Sequence, residues 1–137
     1  MPTKSADVKN EKRSRIAQCT LDVVDVERMA EFWSAALGYR AERDEGDSIH
    51  LVPSSGDGPT VWLQPADELK RGKLRCHMDL TADDPAAEVE RLLSLGAQRT
   101  DVGQTGREGF EVLVDPEGNE FCVLGVHRPL GDPRQTR

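Results

Sequence analysis

An α+β fold of two tandem strand–helix–three-strand modules is predicted by three observations in the sequence. The segment Cys19-Thr20-Leu21-Asp22-Val23 recurs as Cys76-His77-Met78-Asp79-Leu80. Each copy leads into an Asp-started amphipathic stretch ending in Leu-Gly, at Leu37-Gly38 and again at Leu95-Gly96. Each stretch then gives way to short alternating runs broken by Gly and Asp, so one structural unit is repeated along the chain. A single domain over residues 15–126 is expected, with module one at 15–65, a polar linker at 66–72 and module two at 73–126. Residues 1–14 read as a disordered N-terminal tail and 127–137 as a flexible C-terminal tail.

The first strand alternates as a half-buried strand does, with Ala17, Cys19, Leu21 and Val23 on one face and Gln18, Thr20 and Asp22 on the other. Asp25 is placed to cap the amides that open the first helix. Val26, Met29, Ala30, Trp33, Ala36 and Leu37 share one helical face, which makes Trp33 a packing residue, and Gly38 supplies the left-handed C-terminal position. Further strands are expected at 39–44, 48–53 and 60–65. The strand that opens module two sets Leu74, Cys76, Met78 and Leu80 against Arg75, His77 and Asp79. Asp84 and Pro85 then start the second helix, Val89, Leu92 and Leu93 give its apolar stripe, and Gly96 closes it. Strands follow at 97–102, 109–114 and 119–125, the last two joined through the turn Asp115-Pro116-Glu117-Gly118. With helices on the apolar faces, the polar sheet faces are left to line a concavity, and a lined concavity points to a small-molecule ligand.

Composition narrows the classes. Leu, Ile, Val and Phe make up 30 of the 137 residues, just above the level of roughly 20% at which a chain tends to disorder, so the core must be compact. The formal net charge of −7 and the lack of a basic stripe argue against a nucleic-acid partner. No apolar run approaches a membrane span, and residues 1–14 have no apolar segment of a secretory signal, so a cytoplasmic protein is expected. The cysteines, Cys19, Cys76 and Cys122, are odd in number and widely spaced, which suits neither a disulfide framework nor a zinc cluster. Each lies in an expected strand, where Cys19 and Cys76 read as small buried apolar residues.

The run Leu21-Asp22-Val23-Val24-Asp25 leading into Met29-Ala30-Glu31-Phe32-Trp33 and Leu37-Gly38-Tyr39 resembles the opening of glyoxalase-like proteins of the vicinal oxygen chelate superfamily. His77-Met78-Asp79-Leu80, Leu95-Gly96-Ala97 and Asp115-Pro116-Glu117-Gly118-Asn119-Glu120-Phe121 resemble its second half, and the match spans about residues 15–126. The resemblance implies paired βαβββ modules forming a cup-shaped eight-stranded mixed sheet with helices outside, commonly in a homodimer. It also implies a divalent metal in the cup, held from the first and last strand of each module. Carried over one position at a time, His77 falls where a metal-binding His is usual. Its module-one counterpart is Gln18, or Thr20 if the register slips by two, and strand parity leaves both open. Trp62 or Gln64 falls on the fourth strand, and Cys122 stands where a Glu is usual. One His, one Gln and one Cys are a poor set for a hard ion. A softer ion such as zinc would suit His77 with Cys122, although two ligands hold it weakly. A bound metal is therefore not the favoured expectation, and if one is held, His77 is its ligand with Gln18 and Cys122 as weaker partners.

The candidate catalytic pair is His77 with Asp79, which projects from the same strand face and can orient the imidazole or tune its pKa. Asp22 and Asp79 occupy matching positions and would make an acid–base pair if they met across the cup. Gln18, Thr20, Trp62, Gln64 and Cys122 are the candidate ligand contacts, with His50 near them. The loop Gly103-Gln104-Thr105-Gly106-Arg107-Glu108-Gly109 belongs at the rim, where Arg107 would meet an anion. Two functions follow from the same concavity. One is an enzyme of lyase, isomerase or dioxygenase type acting on a small oxygenated metabolite, with classical glyoxalase I activity ranked low. The other is a non-catalytic binder that sequesters a small molecule or antibiotic, as bleomycin-resistance proteins do.

Overall fold

The computed structural model describes residues 13–43, 45–55 and 57–127; most of both expected tails lies outside that range. Module one comprises β1 (Gln18–Val23), α1 (Val26–Leu37), β2 (Tyr39–Arg43), β3 (Ile49–Pro53) and β4 (Thr60–Pro65). Module two comprises β5 (Met78–Leu80), α2 (Pro85–Leu95), β6 (Gln98–Arg99), β7 (Phe110–Val114) and β8 (Glu120–Leu124). The tandem βαβββ pattern is therefore present. The eight strands divide into two four-stranded sheets, ordered β1-β4-β3-β2 and β5-β8-β7-β6. Each is mixed: β1 runs parallel to β4 and β5 parallel to β8, while the remaining neighbours are antiparallel.

The helices begin and end where their chemistry dictates. The Asp25 carboxylate accepts from the Arg28 amide and the Asp84 carboxylate from the Ala87 amide, each at 3.1 Å, satisfying amides that have no partner inside the helix. Gly38 ends α1 at φ 69°, a left-handed conformation that costs a glycine little and a side-chain-bearing residue more. The C-terminal carbonyls of α1 are met from the other module: the Arg91 guanidinium donates to Ala35 O at 3.1 Å and to Ala36 O at 2.9 Å. A cation at that end also suits the partial negative charge of the helix terminus.

One apolar core runs through both modules. Val23, Met29, Trp33, Ile49, Leu51 and Leu63 from module one pack in the same cluster as Leu92, Leu113, Phe121 and Val123 from module two. Trp33 lies edge-on to Phe32 and to Phe121, with ring centroids 5.0 Å apart in both pairs, the arrangement that sets positive ring edges against negative faces. The Trp33 Nε1 donates to Asp115 at 3.1 Å. Asp115, only 2% exposed, also accepts from the Glu117 and Asn119 amides at 2.9 Å and from Asn119 Nδ2 at 3.0 and 3.1 Å. Burial pushes the Asp115 carboxyl up, while the donors around it pull it back towards ionisation. Glu117, in the same turn, accepts from the Val24 and Asp25 amides at 2.8 and 2.6 Å. The hairpin turn between β7 and β8 thus fastens module two to the start of α1.

Several strand boundaries differ from expectation. The strand expected to carry Leu74 to Leu80 forms only over Met78–Leu80, because the approach to it is held sideways: the Leu74 amide donates to Glu120 at 3.1 Å and Lys70 Nζ lies 3.3 Å from the same carboxylate. Cys76 is consequently exposed and outside the strand, Cys19 is half-buried, and Cys122 alone is buried. The strand expected at 97–102 shrinks to Gln98–Arg99, where Asp101 and Gln104 turn the chain by accepting from the Gly103 and Val102 amides.

Candidate functional site

His77, Asp79 and Cys122 converge on the floor of a cavity of about 610 Å³ in module two. The strand geometry explains the convergence. Asp79 and Cys122 are direct partners in the parallel β5–β8 pair, so their side chains stand on one sheet face, and His77, two residues before Asp79, shares that face. The imidazole, carboxylate and thiol each bring one ligand atom within 4.8 Å of the others. His77 and Asp79 are about a quarter exposed at their side chains, whereas Cys122 is 3% exposed. The His77 Nδ1 lies 3.2 Å from the Asp79 carboxylate. The contact is an ion-pair distance and not a hydrogen bond, and Nδ1 is a buried ring nitrogen without a hydrogen-bond partner among the described residues. A buried polar atom left in this way costs stability unless something else binds it.

The group fits a divalent ion of zinc type. Zinc takes imidazole nitrogen, thiolate sulfur and carboxylate oxygen together at about 2.0–2.3 Å. Tetrahedral ligand atoms at those bond lengths sit roughly 3.3–3.8 Å apart, so from separations of up to 4.8 Å the side chains need to close by at most about 1.5 Å. With three protein ligands a tetrahedral ion keeps one position for a ligand or water.

The rest of the cavity is built from the approach to β5, from the loop after β6 and from β7. Lys73, Arg75, Gln104, Glu108 and Glu120 give it polar lining, and Val102, Phe110 and Val112 an apolar wall. Arg75 belongs to the polar set of Arg75, His77 and Asp79 that strand alternation picks out. In the glycine-bearing loop the expected contact, Arg107, is exposed and off the cavity lining, and Glu108 is on the lining instead. The Glu108 carboxylate accepts from the Thr105 amide and hydroxyl and from the Gly106 amide. Those donors hold its pKa down to about 2. A carboxylate depressed in this way contributes loop stability that is complete above its unfolded value near 4.5 and fades as pH falls through about 2. A carboxyl titration by NMR is expected to find Glu108 still ionised at pH 3, and Glu108→Gln to raise amide exchange over residues 103–108.

Gln18, Thr20, Trp62 and Gln64 are brought together, but on the other sheet. Thr20 pairs with Trp62 and Asp22 with Gln64 in the β1–β4 ladder; Gln18 Nε2 donates to Thr20 at 3.4 Å and Gln64 Nε2 to Asp22 at 3.4 Å. None of them lines the 610 Å³ cavity, where Asp79 stands with His77 and Cys122. Asp22 and Asp79 do not form the expected pair: Asp22 lines a second cavity of about 460 Å³ between the modules, shared with Cys19, Thr20, Cys76 and His77. Burial, with Cys76 adding to it, pushes the Cys19 thiol up, which lowers its reactivity at neutral pH. His50 is engaged within module one, its Nε2 2.9 Å from the Thr60 hydroxyl and its ring 4.8 Å from that of Trp62.

Comparison with known proteins agrees with this architecture. A family model for a glyoxalase-like domain matches residues 18–124. No curated protein sequence matches the chain. Among solved structures, a fosfomycin resistance protein, FosX, from Listeria monocytogenes, determined with Mn(II) and 1S,2S-dihydroxypropylphosphonic acid, superimposes with a TM-score of 0.65 at 15% identity, over 86% of this chain and 93% of that one. A glyoxalase/bleomycin resistance protein/dioxygenase family enzyme from Burkholderia phytofirmans PsJN gives 0.62 at 15% identity, over 80% of this chain and 97% of that one. A hypothetical protein from S. aureus gives 0.60 at 18% identity, over 85% and 98%. At such identities the likeness is one of fold. No helix among the described residues is long and apolar enough to cross a membrane.

Proposed function

The chain belongs to the glyoxalase-like domain family, and from that premise we propose that it is a metal-dependent enzyme of lyase or isomerase type acting on a small oxygenated metabolite in the cytoplasm. The observation that carries the reading is the convergence of His77, Asp79 and Cys122 on the floor of the module-two cavity. The donor set favours this chemistry over dioxygenase chemistry, because one His with a thiolate is unlike the two-His, one-carboxylate set that suits iron and oxygen. His77, Asp79 and Cys122 would hold the ion, which when bound would supply Lewis-acid polarisation of a substrate oxygen. Val102, Phe110 and Val112 would give the substrate an apolar wall. Gln18, Thr20, Trp62 and Gln64 would meet the same ligand if a second copy of the chain lent its first sheet, and a homodimer is part of the proposal.

One observation favours the alternative, a non-catalytic binder that sequesters its ligand. Both Glu108 and Glu120 are committed to hydrogen bonds within the fold, which leaves neither as an unencumbered base. Elemental analysis of protein purified without chelator separates the readings. Near-stoichiometric zinc or a similar ion, lost on His77→Ala, supports the metal centre. A metal-free wild type that nevertheless binds small molecules moves the function to sequestration.

A further inference from the structure

Lys73 and Arg75 stand on the lining of the His77 cavity, and neither has a hydrogen bond or ion pair with any described residue. Of the six described lysines and arginines that lack a carboxylate partner, these two alone line the cavity, in a chain with 25 acidic residues against 18 lysines and arginines. Arg40, Arg43, Lys70, Arg71, Arg91 and Arg99 each have a carboxylate partner. The remaining described cations without one, Arg13, Arg15, Arg28 and Arg107, are off this lining. The carboxylates of the cavity do not compensate the pair. Glu120 is held by Lys70 and the Leu74 amide. Glu108 faces the amides of its own loop, and Asp79 lies against His77. Across the same cavity, Val102, Phe110 and Val112 present apolar surface.

We propose that Lys73 and Arg75 form an oxyanion subsite, so that the molecule taken into this cavity is an organic anion: a carboxylate or phosphate-like head with a short apolar body. The proposal rests on the module-two cavity being the small-molecule site, but not on the metal. Lys73 approaches the head as a point charge and Arg75 as a fork able to donate two parallel hydrogen bonds, while the body lies on the Phe110 side. The two cations also raise the local concentration of anions in a protein whose net charge of −7 would otherwise repel them.

The test is an amide NMR titration of the full chain with inorganic phosphate, benzoate and benzamide, repeated on the Lys73→Ala/Arg75→Ala double variant. Benzoate and benzamide differ chiefly in charge, and phosphate distinguishes a phosphate-like head from a carboxylate. Benzoate or phosphate is expected to shift the amides of residues 73–79 and 102–108, with benzamide weaker by about tenfold or more. The double variant is expected to lose about the same factor for the anion while keeping its affinity for benzamide and for zinc. Equal binding of benzoate and benzamide, anion binding that survives in the double variant, or no local shift with either anion overturns the subsite. Zinc affinity is read in the same samples. Loss of zinc binding with anion selectivity intact would strike the metal centre alone, and the reverse would strike the subsite alone.

Discussion

Asp115→Ala is expected to lower the stability of the fold by about 3–5 kcal/mol, the largest effect of a single substitution away from the cavity. The carboxylate serves buried donors from three residues: the Trp33 indole, the Asn119 side chain and amide, and the Glu117 amide. Alanine removes the common acceptor and leaves those donors dry, and each unsatisfied buried group costs roughly 1–3 kcal/mol. The loss reaches further than the turn, because the same turn carries Glu117 to the amides of Val24 and Asp25. A domain of this size has about 5–15 kcal/mol in all, so thermal unfolding should show a fall in Tm of roughly 10–20 °C. Asp115→Asn keeps one acceptor oxygen and replaces the other with a donor that faces the indole or the Asn119 amide, and should fall between the two. A Tm for Asp115→Ala within a few degrees of wild type would mean that water replaces the carboxylate and that the turn is not the clasp between modules.

Cys122→Ser is expected to weaken zinc binding on the order of 100-fold while leaving the fold nearly intact. The thiol is buried on the central strand of module two, directly across from Asp79. Serine keeps its shape but offers a neutral hydroxyl where zinc takes a thiolate. Structural zinc sites gain about 10–16 kcal/mol from some four ligands, roughly 3 per ligand, which sets the factor. The preference of the site should also move from zinc towards harder ions, since the remaining set is one imidazole and one carboxylate. Competition against a chromogenic chelator measures both effects. An unchanged zinc affinity would place the ion elsewhere or remove it.

Much of this was legible before the fold was seen, and the physical reason differs from part to part. The repeat of Cys19–Val23 in Cys76–Leu80 revealed the modules because each must build the same strand and helix from the same alternation and caps. Strand parity put Arg75, His77 and Asp79 on one face, and that parity survives although the strand itself begins only at Met78. Parity is a property of one strand, however, and says nothing of which strands share a sheet. Gln18 and Thr20 have the right parity to meet His77, yet they belong to a sheet hydrogen-bonded to β4 rather than to β5. The partner that the fold supplies instead, Asp79 beside Cys122, depends on the β5–β8 register, which is a long-range pairing. The same limit hid the clasp. Asp115-Pro116-Glu117-Gly118 was readable as a turn from its dihedral preferences, but its bonds to Trp33, Val24 and Asp25 span more than 80 residues of chain. Lys73 continues the same alternation one step before the expected strand, at Leu74, begins, whereas Glu108 sits in a loop where no periodicity says which way a side chain points.

The central claim, that His77, Asp79 and Cys122 together hold a divalent ion, is tested most directly by cobalt(II) titration followed by absorption spectroscopy. Cobalt reports its own ligands: a bound thiolate gives a near-ultraviolet charge-transfer band, and four-coordinate geometry gives intense visible bands. Saturation at one cobalt per chain, with both features present in wild type and the charge-transfer band absent in Cys122→Ser, is the expected result. A titration that develops neither feature, or a charge-transfer band that persists in Cys122→Ser, would contradict the metal centre.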